Sequence, residues 1–132
     1  MREKFDMPSQ SRLVCFIATA DAERARAFYH GKLGLALVED GGYALVFDAN
    51  GTQLRVQRVQ DVAPHPYTAL GWEVADVTAT VRALAANGVP MARFPGLPLD
   101  TDGVWNTPDG SRVAWFHDPD GNTLSLSQPP KD

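Results

Sequence analysis

Phe116-His117-Asp118-Pro119-Asp120-Gly121-Asn122-Thr123-Leu124-Ser125-Leu126 is the stretch that decides the fold, because it encodes a strand, a tight turn and a second strand. Proline fixes φ in such a turn, and Asp or Asn next to Gly tolerates positive φ where the chain reverses. A looser copy runs through residues 47–56 and places Asp48-Ala49-Asn50-Gly51 in the turn. Two such hairpins in 132 residues indicate a duplicated unit.

The residues upstream of the two hairpins repeat as well. Residues 13–19 and 70–74 are apolar and predict strands, and each is followed by an aspartate, Asp21 or Asp76. Aspartate is a favoured N-cap, so we predict a helix from Asp21 to about Leu33 and a second one from Asp76 to Asn87-Gly88. The two aspartates are 55 residues apart.

Strand-like segments follow each helix and complete the repeat. They are residues 36–40, 43–48 and 52–59 in the first half, and residues 91–94, 104–105, 112–117 and 122–127 in the second. We therefore predict an α+β fold of two βαβββ modules, residues 12–59 and 67–128, within one domain, with tails at residues 1–11 and 129–132. The Pro- and Gly-rich residues 95–103 form either a lid or a long connection.

Composition limits the classes of function. Hydrophobic residues make up 44% and charged residues 21%, as in ordinary globular proteins. The net charge is -4 and the basic residues are scattered, which argues against a nucleic-acid partner. Since no apolar run reaches transmembrane length, we expect no membrane partner. The single Cys15 excludes an intrachain disulfide and fits a buried thiol better than a nucleophile, so we expect a cytoplasmic protein.

The modules resemble the vicinal oxygen chelate superfamily, which includes glyoxalase I, bleomycin resistance proteins and extradiol dioxygenases. Asp21, Phe28-Tyr29 and Leu33-Gly34-Leu35 are similar to its "D…FY…LGL" signature, and Asp118-Pro119-Asp120-Gly121-Asn122 is similar to its closing turn. The resemblance covers residues 12–128. It implies a curved half-barrel sheet with the helices on the outer face, a cavity on the concave side, and a homodimer that completes this cavity.

The resemblance also implies where a metal would bind, on the first and last strand of each module. Counting from the aspartates and the turn glycines places Val14, Ala69, Arg55 and Ser125 there. Valine and alanine cannot coordinate, guanidinium has no lone pair, and a lone hydroxyl is a poor ligand. The three histidines, His30, His65 and His117, form no spaced ligand set, so we expect neither a metal nor another cofactor.

Strand alternation predicts which side chains face the cavity, because residues opposed across a hairpin share a side. A three-residue loop Pro119-Asp120-Gly121 sets Trp115 opposite Ser125 and His117 opposite Thr123. The same count in the first hairpin sets Tyr43, Leu45 and Phe47 opposite Gln57, Arg55 and Gln53. The partners that face the helices are then all apolar: Ala44, Val46, Leu54, Val56, Ala114, Phe116, Leu124 and Leu126.

The predicted cavity thus combines aromatic walls with a few polar groups, as small-molecule sites do. Its residues are Tyr43, Phe47, Trp105 and Trp115 as walls, and Gln53, Arg55, Gln57, Glu73, His117 and Ser125 as polar groups. Arg55 is expected to bind an anionic or strongly polar group, or else to pair with Glu73 or face water.

Three functions fit this cavity. The first is a metal-free binder of a small polar aromatic or anionic molecule. The second is a glyoxalase-like lyase or isomerase or a dioxygenase, with an unrecognised metal or with Glu73 or His117 as a general base. The third is an accessory module with a vestigial cavity.

Overall fold

The structure is a computed structural model and describes residues 6–131. Part of the predicted N-terminal tail, residues 1–5, and the last residue lie outside the described residues. After a 3-10 turn at Pro8–Gln10, the first module comprises β1 (Val14–Thr19), α1 (Ala22–Arg26, continued as a π-helical segment over Ala27–Lys32), β2 (Ala36–Asp40), β3 (Ala44–Ala49) and β4 (Thr52–Arg58). The second comprises β5 (Thr68–Glu73), α2 (Val77–Ala86), β6 (Trp105–Asn106), β7 (Arg112–His117) and β8 (Thr123–Gln128).

The two modules have the same topology. Strands β1 to β4 form one four-stranded sheet in the order β1-β4-β3-β2, which we call the N-sheet. Strands β5 to β8 form the C-sheet in the equivalent order β5-β8-β7-β6. In each sheet the first strand pairs in parallel with the last, and the other pairs are antiparallel. The predicted α+β fold of two βαβββ modules is confirmed.

Both predicted helix caps are confirmed. A carboxylate oxygen of Asp21 accepts the backbone N–H of Arg24, and one of Asp76 accepts that of Ala79, both at 3.1 Å. Each aspartate therefore satisfies a donor that the first helical turn leaves unpaired. No helix in residues 6–131 has the length and apolar character needed to cross a bilayer.

The register of the second hairpin is confirmed and that of the first is wrong by one residue. Trp115 pairs with Ser125 and His117 with Thr123, as predicted. In the first hairpin, however, Ala49 pairs with Thr52, so the loop has two residues and not three. The loop residues Asn50 and Gly51 both have positive φ, 52° and 95°, which is the type I′ geometry that Asn-Gly favours.

A shift of one residue exchanges the two sides of a strand. Arg55 pairs with Val46, and Gln57 pairs with Ala44, so these two apolar residues share the side of Arg55 and do not pack under the helices. Conversely, Phe47 pairs with Leu54 and is 0% exposed in the core. The prediction that Phe47 lines the cavity is therefore wrong.

The segment between α2 and β7 also differs from the prediction. Residues 91–94 form no strand, and their hydrogen bond to the sheet joins Ala92 N–H to Trp115 O at 2.7 Å. The segment 95–103 is fixed near its end, because Arg93 donates to the carbonyl oxygens of Asp100 and Thr101, and Arg82 donates to the carboxylate of Asp102. These contacts favour a long connection over a lid.

One hydrophobic core is shared by the two modules. It includes Leu45, Leu54 and Val56 of the N-sheet together with Ala114, Phe116 and Leu124 of the C-sheet. The ring of Phe28 on α1 lies 6.4 Å from that of Phe116, so the first helix reaches the second sheet. Each sheet thus has a helix face on this core and an opposite side, which we call its open face.

Candidate functional site

The open face of the N-sheet carries a depression of about 680 Å³, which we call the cup. Strand pairing sets four residues in one row across it, in the order Glu39, Val46, Arg55 and Phe16. The cup is lined entirely by residues of the first module, namely Val38, Glu39, Asp40, Gly41, Gly42, Tyr43, Ala44, Val46, Gln53 and Arg55. Three of the predicted site residues, Tyr43, Gln53 and Arg55, therefore line the same depression.

The guanidinium of Arg55 is held in place by its neighbours. Its Nε donates to Gln53 Oε1 at 2.6 Å, and its central carbon lies 5.7 Å from the ring centre of Phe16. A cation over an aromatic face at this distance is attracted by the ring quadrupole. Among residues 6–131, Arg55 forms no ion pair, so the predicted alternative of a pair with Glu73 is wrong.

The two acidic residues at the rim of the cup have different roles. Asp40 pairs with Leu45 on the helix face and binds Arg26 and Arg58. The hydrogen bond from Arg58 holds the pKa of Asp40 below its usual value, with help from the charges of Arg26 and Arg58. Glu39 pairs with Val46 on the open face, and its carboxylate lies beside Gly41. Glu39 forms no ion pair within the described residues.

The open face of the C-sheet carries a second depression of about 310 Å³, which we call the slot. Its lining is apolar and aromatic and belongs to the second module and the linker before it: Pro66, Tyr67, Thr68, Phe94, Leu97, Trp115 and Thr123. Leu97 comes from the anchored 95–103 segment. The cup and the slot share no residue, so one chain places Arg55 and Trp115 in different sites.

The indole of Trp115 is fixed on three sides. Its Nε1–H donates to Thr68 Oγ1 at 3.1 Å. The ring of Trp105 stacks on it with centroids 6.2 Å apart, and Phe94 meets it edge-on at 5.5 Å. Aromatic pairs in these geometries stabilise the fold by more than their buried area alone would. Here they fix the orientation of the Trp115 indole.

The remaining predicted residues are spread over both open faces. Gln57 is exposed beside Ala44 on the N-sheet. Ser125 lies next to Gly71 on the C-sheet, so close that a Cβ on this glycine would stand 2.5 Å from Ser125 Oγ. Glu73 and His117 are exposed, and no hydrogen bond within residues 6–131 orients either side chain as a general base.

The positions that the resemblance assigns to a metal do not suit one. Arg55 of β4 and Ser125 of β8 are on the open faces, but their neighbours on the first strands are Phe16 and Gly71 and not the predicted Val14 and Ala69. Val14 pairs with Gln53, and Ala69 lies at a register shift between Thr68 and Leu70. None of these supplies an imidazole, thiolate or carboxylate. In the described part of the chain, no three His, Cys, Asp or Glu side chains come close enough to share an ion.

The family assignment rests on a match over most of the chain. The family model of the Glyoxalase/Bleomycin resistance protein/Dioxygenase superfamily matches residues 12–126. The chain belongs to this superfamily. No curated protein matches it at a significant level.

Solved structures agree with this assignment at the level of the fold. A putative glyoxalase family protein from Bacillus anthracis is 17% identical with a TM-score of 0.70, over 97% of this chain and 98% of the other. A glyoxalase/bleomycin resistance protein/dioxygenase from Nocardioides is 17% identical with a TM-score of 0.71, over 97% and 87%. Lactoylglutathione lyase from Agrobacterium tumefaciens is 19% identical with a TM-score of 0.67, over 92% and 96%.

The sequence missed several residues in and beside the cup, and for different reasons. Val46 was assigned to the helix face through the wrong loop length, although the Asn50-Gly51 pair is a known signal for a two-residue loop. Glu39 faces the cup because a bulge at Val38 interrupts the alternation of β2. No residue type in β2 marks that bulge. Phe16 lies in an apolar run that reads as fully buried, yet it is 56% exposed.

Proposed function

We propose that this chain is a metal-free binding protein for a small polar aromatic or anionic molecule. The single observation that carries the proposal is the guanidinium of Arg55, which lies in the cup without an ion-pair partner in the described chain and is oriented by Gln53 and Phe16. A positioned arginine with free N–H groups binds carboxylates and other planar acceptors in a bidentate way.

The wall residues of the cup support a ligand with an apolar body. Val46 forms a buried floor beside Arg55, and Val38 and Tyr43 are largely exposed at the rim, at 64% and 88%. Apolar side chains around a few directed polar groups are the usual composition of a ligand site. The cup is open, however, and a ligand in it would remain wet on one side.

A second copy of the chain would close the cup, and we propose that the protein acts as a homodimer. Exposed apolar residues gather around the open face of the N-sheet, where Leu13, Phe16, Val38 and Tyr43 are all more than half exposed. The aromatic slot with Trp115 and Tyr67 on the C-sheet is the complementary surface. Pairing the N-sheet of one copy with the C-sheet of the other would bring Arg55 and Trp115 onto one ligand.

The proposal is tested by calorimetric titration of benzoate and related aromatic carboxylates into wild type and Arg55→Ala. A charge-assisted contact contributes about 1.5–3 kcal/mol, and Arg55 is exposed, so we expect roughly a tenfold loss of affinity. Lys131→Ala, which removes an exposed cation outside both the cup and the slot, is the control. Equal affinities of wild type and Arg55→Ala would contradict the proposal.

A further inference from the structure

The row across the N-sheet places two opposite charges on either side of an apolar floor. Glu39 pairs with Val46, and Val46 pairs with Arg55, so the negative Glu39 and the positive Arg55 lie two strands apart on the same face. Neighbouring strands are about 4.8 Å apart, which sets the two Cα atoms at about 10 Å. Val46 between them is buried, with 8% of its surface exposed.

Glu39 and Arg55 are the two charged side chains of the cup that remain available to a ligand. Five ion pairs occur within residues 6–131, and neither residue takes part in any of them. The third charged residue of the lining, Asp40, is occupied by Arg26 and Arg58 on the helix face. The cup therefore offers one positive and one negative group.

A β-bulge is responsible for the direction of Glu39. Leu37 pairs with Phe47 on the helix face, and regular alternation would put Glu39 on that same face. The register shifts between these two residues, so Glu39 pairs with Val46 and emerges in the cup. Bulges are found next to functional sites, where they redirect a side chain. Glu39 is thus the only acidic residue lining the cup that forms no ion pair within the described chain.

From this arrangement we infer that the ligand is a zwitterion, with an anionic group on Arg55, a cationic group on Glu39 and an apolar ring or chain over Val46. The two ligand charges are roughly 5–8 Å apart, since each must come within contact distance of its partner across the row. An ω-amino acid or a para-substituted aromatic amino acid has this separation. The inference rests on the proposed function, because it names the class of ligand for the same cup.

The experiment compares three probes that differ only in their charges. They are para-(aminomethyl)benzoate, para-toluate, which lacks the cation, and para-methylbenzylamine, which lacks the anion. Each is titrated calorimetrically into wild type, Glu39→Gln and Arg55→Gln, with Glu23→Gln on α1 as the matched control for removal of an exposed glutamate. Thermal unfolding midpoints verify that all four proteins are folded.

We expect wild type to bind the zwitterion roughly fivefold to tenfold more tightly than para-toluate, because both contacts are charge-assisted but solvent-screened. Glu39→Gln should abolish this preference, whereas Glu23→Gln should keep it. Equal binding of the zwitterion and para-toluate by wild type, with a loss in Arg55→Gln, would overturn the inference and leave the proposed function intact. Binding that is absent, or independent of Arg55, would overturn both.

Discussion

At the scale of single residues, one contact that joins the modules is a buried hydrogen bond between Tyr29 of α1 and Asp118 of the β7–β8 turn. The phenol donates to the carboxylate at 2.6 Å, and Tyr29 is 0% exposed. Asn122 donates its side-chain amide to the same carboxylate and also to Ala18 O in the first module. The closing turn of the second module therefore holds the first module in place.

Loss of this hydroxyl should be costly, because it leaves a buried carboxylate with one donor fewer. We predict that Tyr29→Phe lowers the free energy of unfolding by about 1–3 kcal/mol in urea titrations. Tyr43→Phe is the control, since Tyr43 is 88% exposed. Equal losses for the two substitutions would show that the Tyr29 hydroxyl is not a special contact.

The same tyrosine predicts a dependence on alkaline pH. Burial raises the pKa of Tyr29, and the nearby charge of Asp118 raises it further. A group whose pKa is raised on folding stabilises the fold below its unfolded pKa, about 10, and loses this contribution as pH rises. The stability advantage of wild type over Tyr29→Phe should therefore shrink by about 1.4 kcal/mol per pH unit above pH 10. An advantage that stays constant between pH 8 and pH 11 would contradict this.

The residues at the predicted ligand positions lead to a prediction about metal content. Neither the predicted positions Val14, Arg55, Ala69 and Ser125 nor the observed neighbours Phe16 and Gly71 offer a ligand set. Protein purified without chelators should therefore contain no stoichiometric zinc, nickel, iron or manganese. Elemental analysis measures this directly. One metal ion per chain, lost on substitution of a cup or slot residue, would show that the site has been misplaced.

At the scale of the elements, the sequence specified the parts with local signals. Asp21 and Asp76 predict the starts of both helices because capping depends on residues within one turn. The Asp118 to Asn122 turn predicts the register of β7 and β8, and with it the pairing of Trp115 and Ser125. These signals need no knowledge of the rest of the chain.

The parts that failed depend on loop length or on distant contacts. One residue in the Asn50-Gly51 loop decides whether Phe47 or Val46 shares a face with Arg55. The separation of Arg55 from Trp115 follows from the packing of both sheets on one core, which alternation within a strand does not reveal. The sequence therefore predicted the fold and the types of the site residues better than their grouping.

The turn that sets the face of Arg55 gives a prediction at this scale. Gly51 has a φ of 95°, so Gly51→Ala should cost about 1–2 kcal/mol of unfolding free energy, the penalty of a left-handed conformation for a residue with a Cβ. Gly42→Ala is the matched control, because a Cβ there meets nothing within 4 Å and its φ is not in the positive range. Similar costs for both substitutions in urea titrations would argue against the two-residue loop.

At the scale of the whole molecule, each chain carries half of the proposed site on each of its two open faces. The cup supplies charge through Arg55, and the slot supplies a fixed indole through Trp115. The two are complementary in chemistry and belong to different sheets. In the proposed homodimer a ligand would contact the cup of one copy and the slot of the other, and a mixture of two variants, each defective in one of these surfaces, tests this.

The most direct measurement is a mixing experiment with Arg55→Ala and Trp115→Ala chains, exchanged by mild denaturation and refolding and then titrated with para-(aminomethyl)benzoate. Each variant alone should bind weakly, because every site in its dimer is defective. Random mixing makes half of the dimers mixed, and each mixed dimer has one intact site, so about a quarter of the wild-type number of sites should return at wild-type affinity. A mixture that binds no better than the average of the two separate variants would contradict a site shared between the N-sheet of one copy and the C-sheet of another.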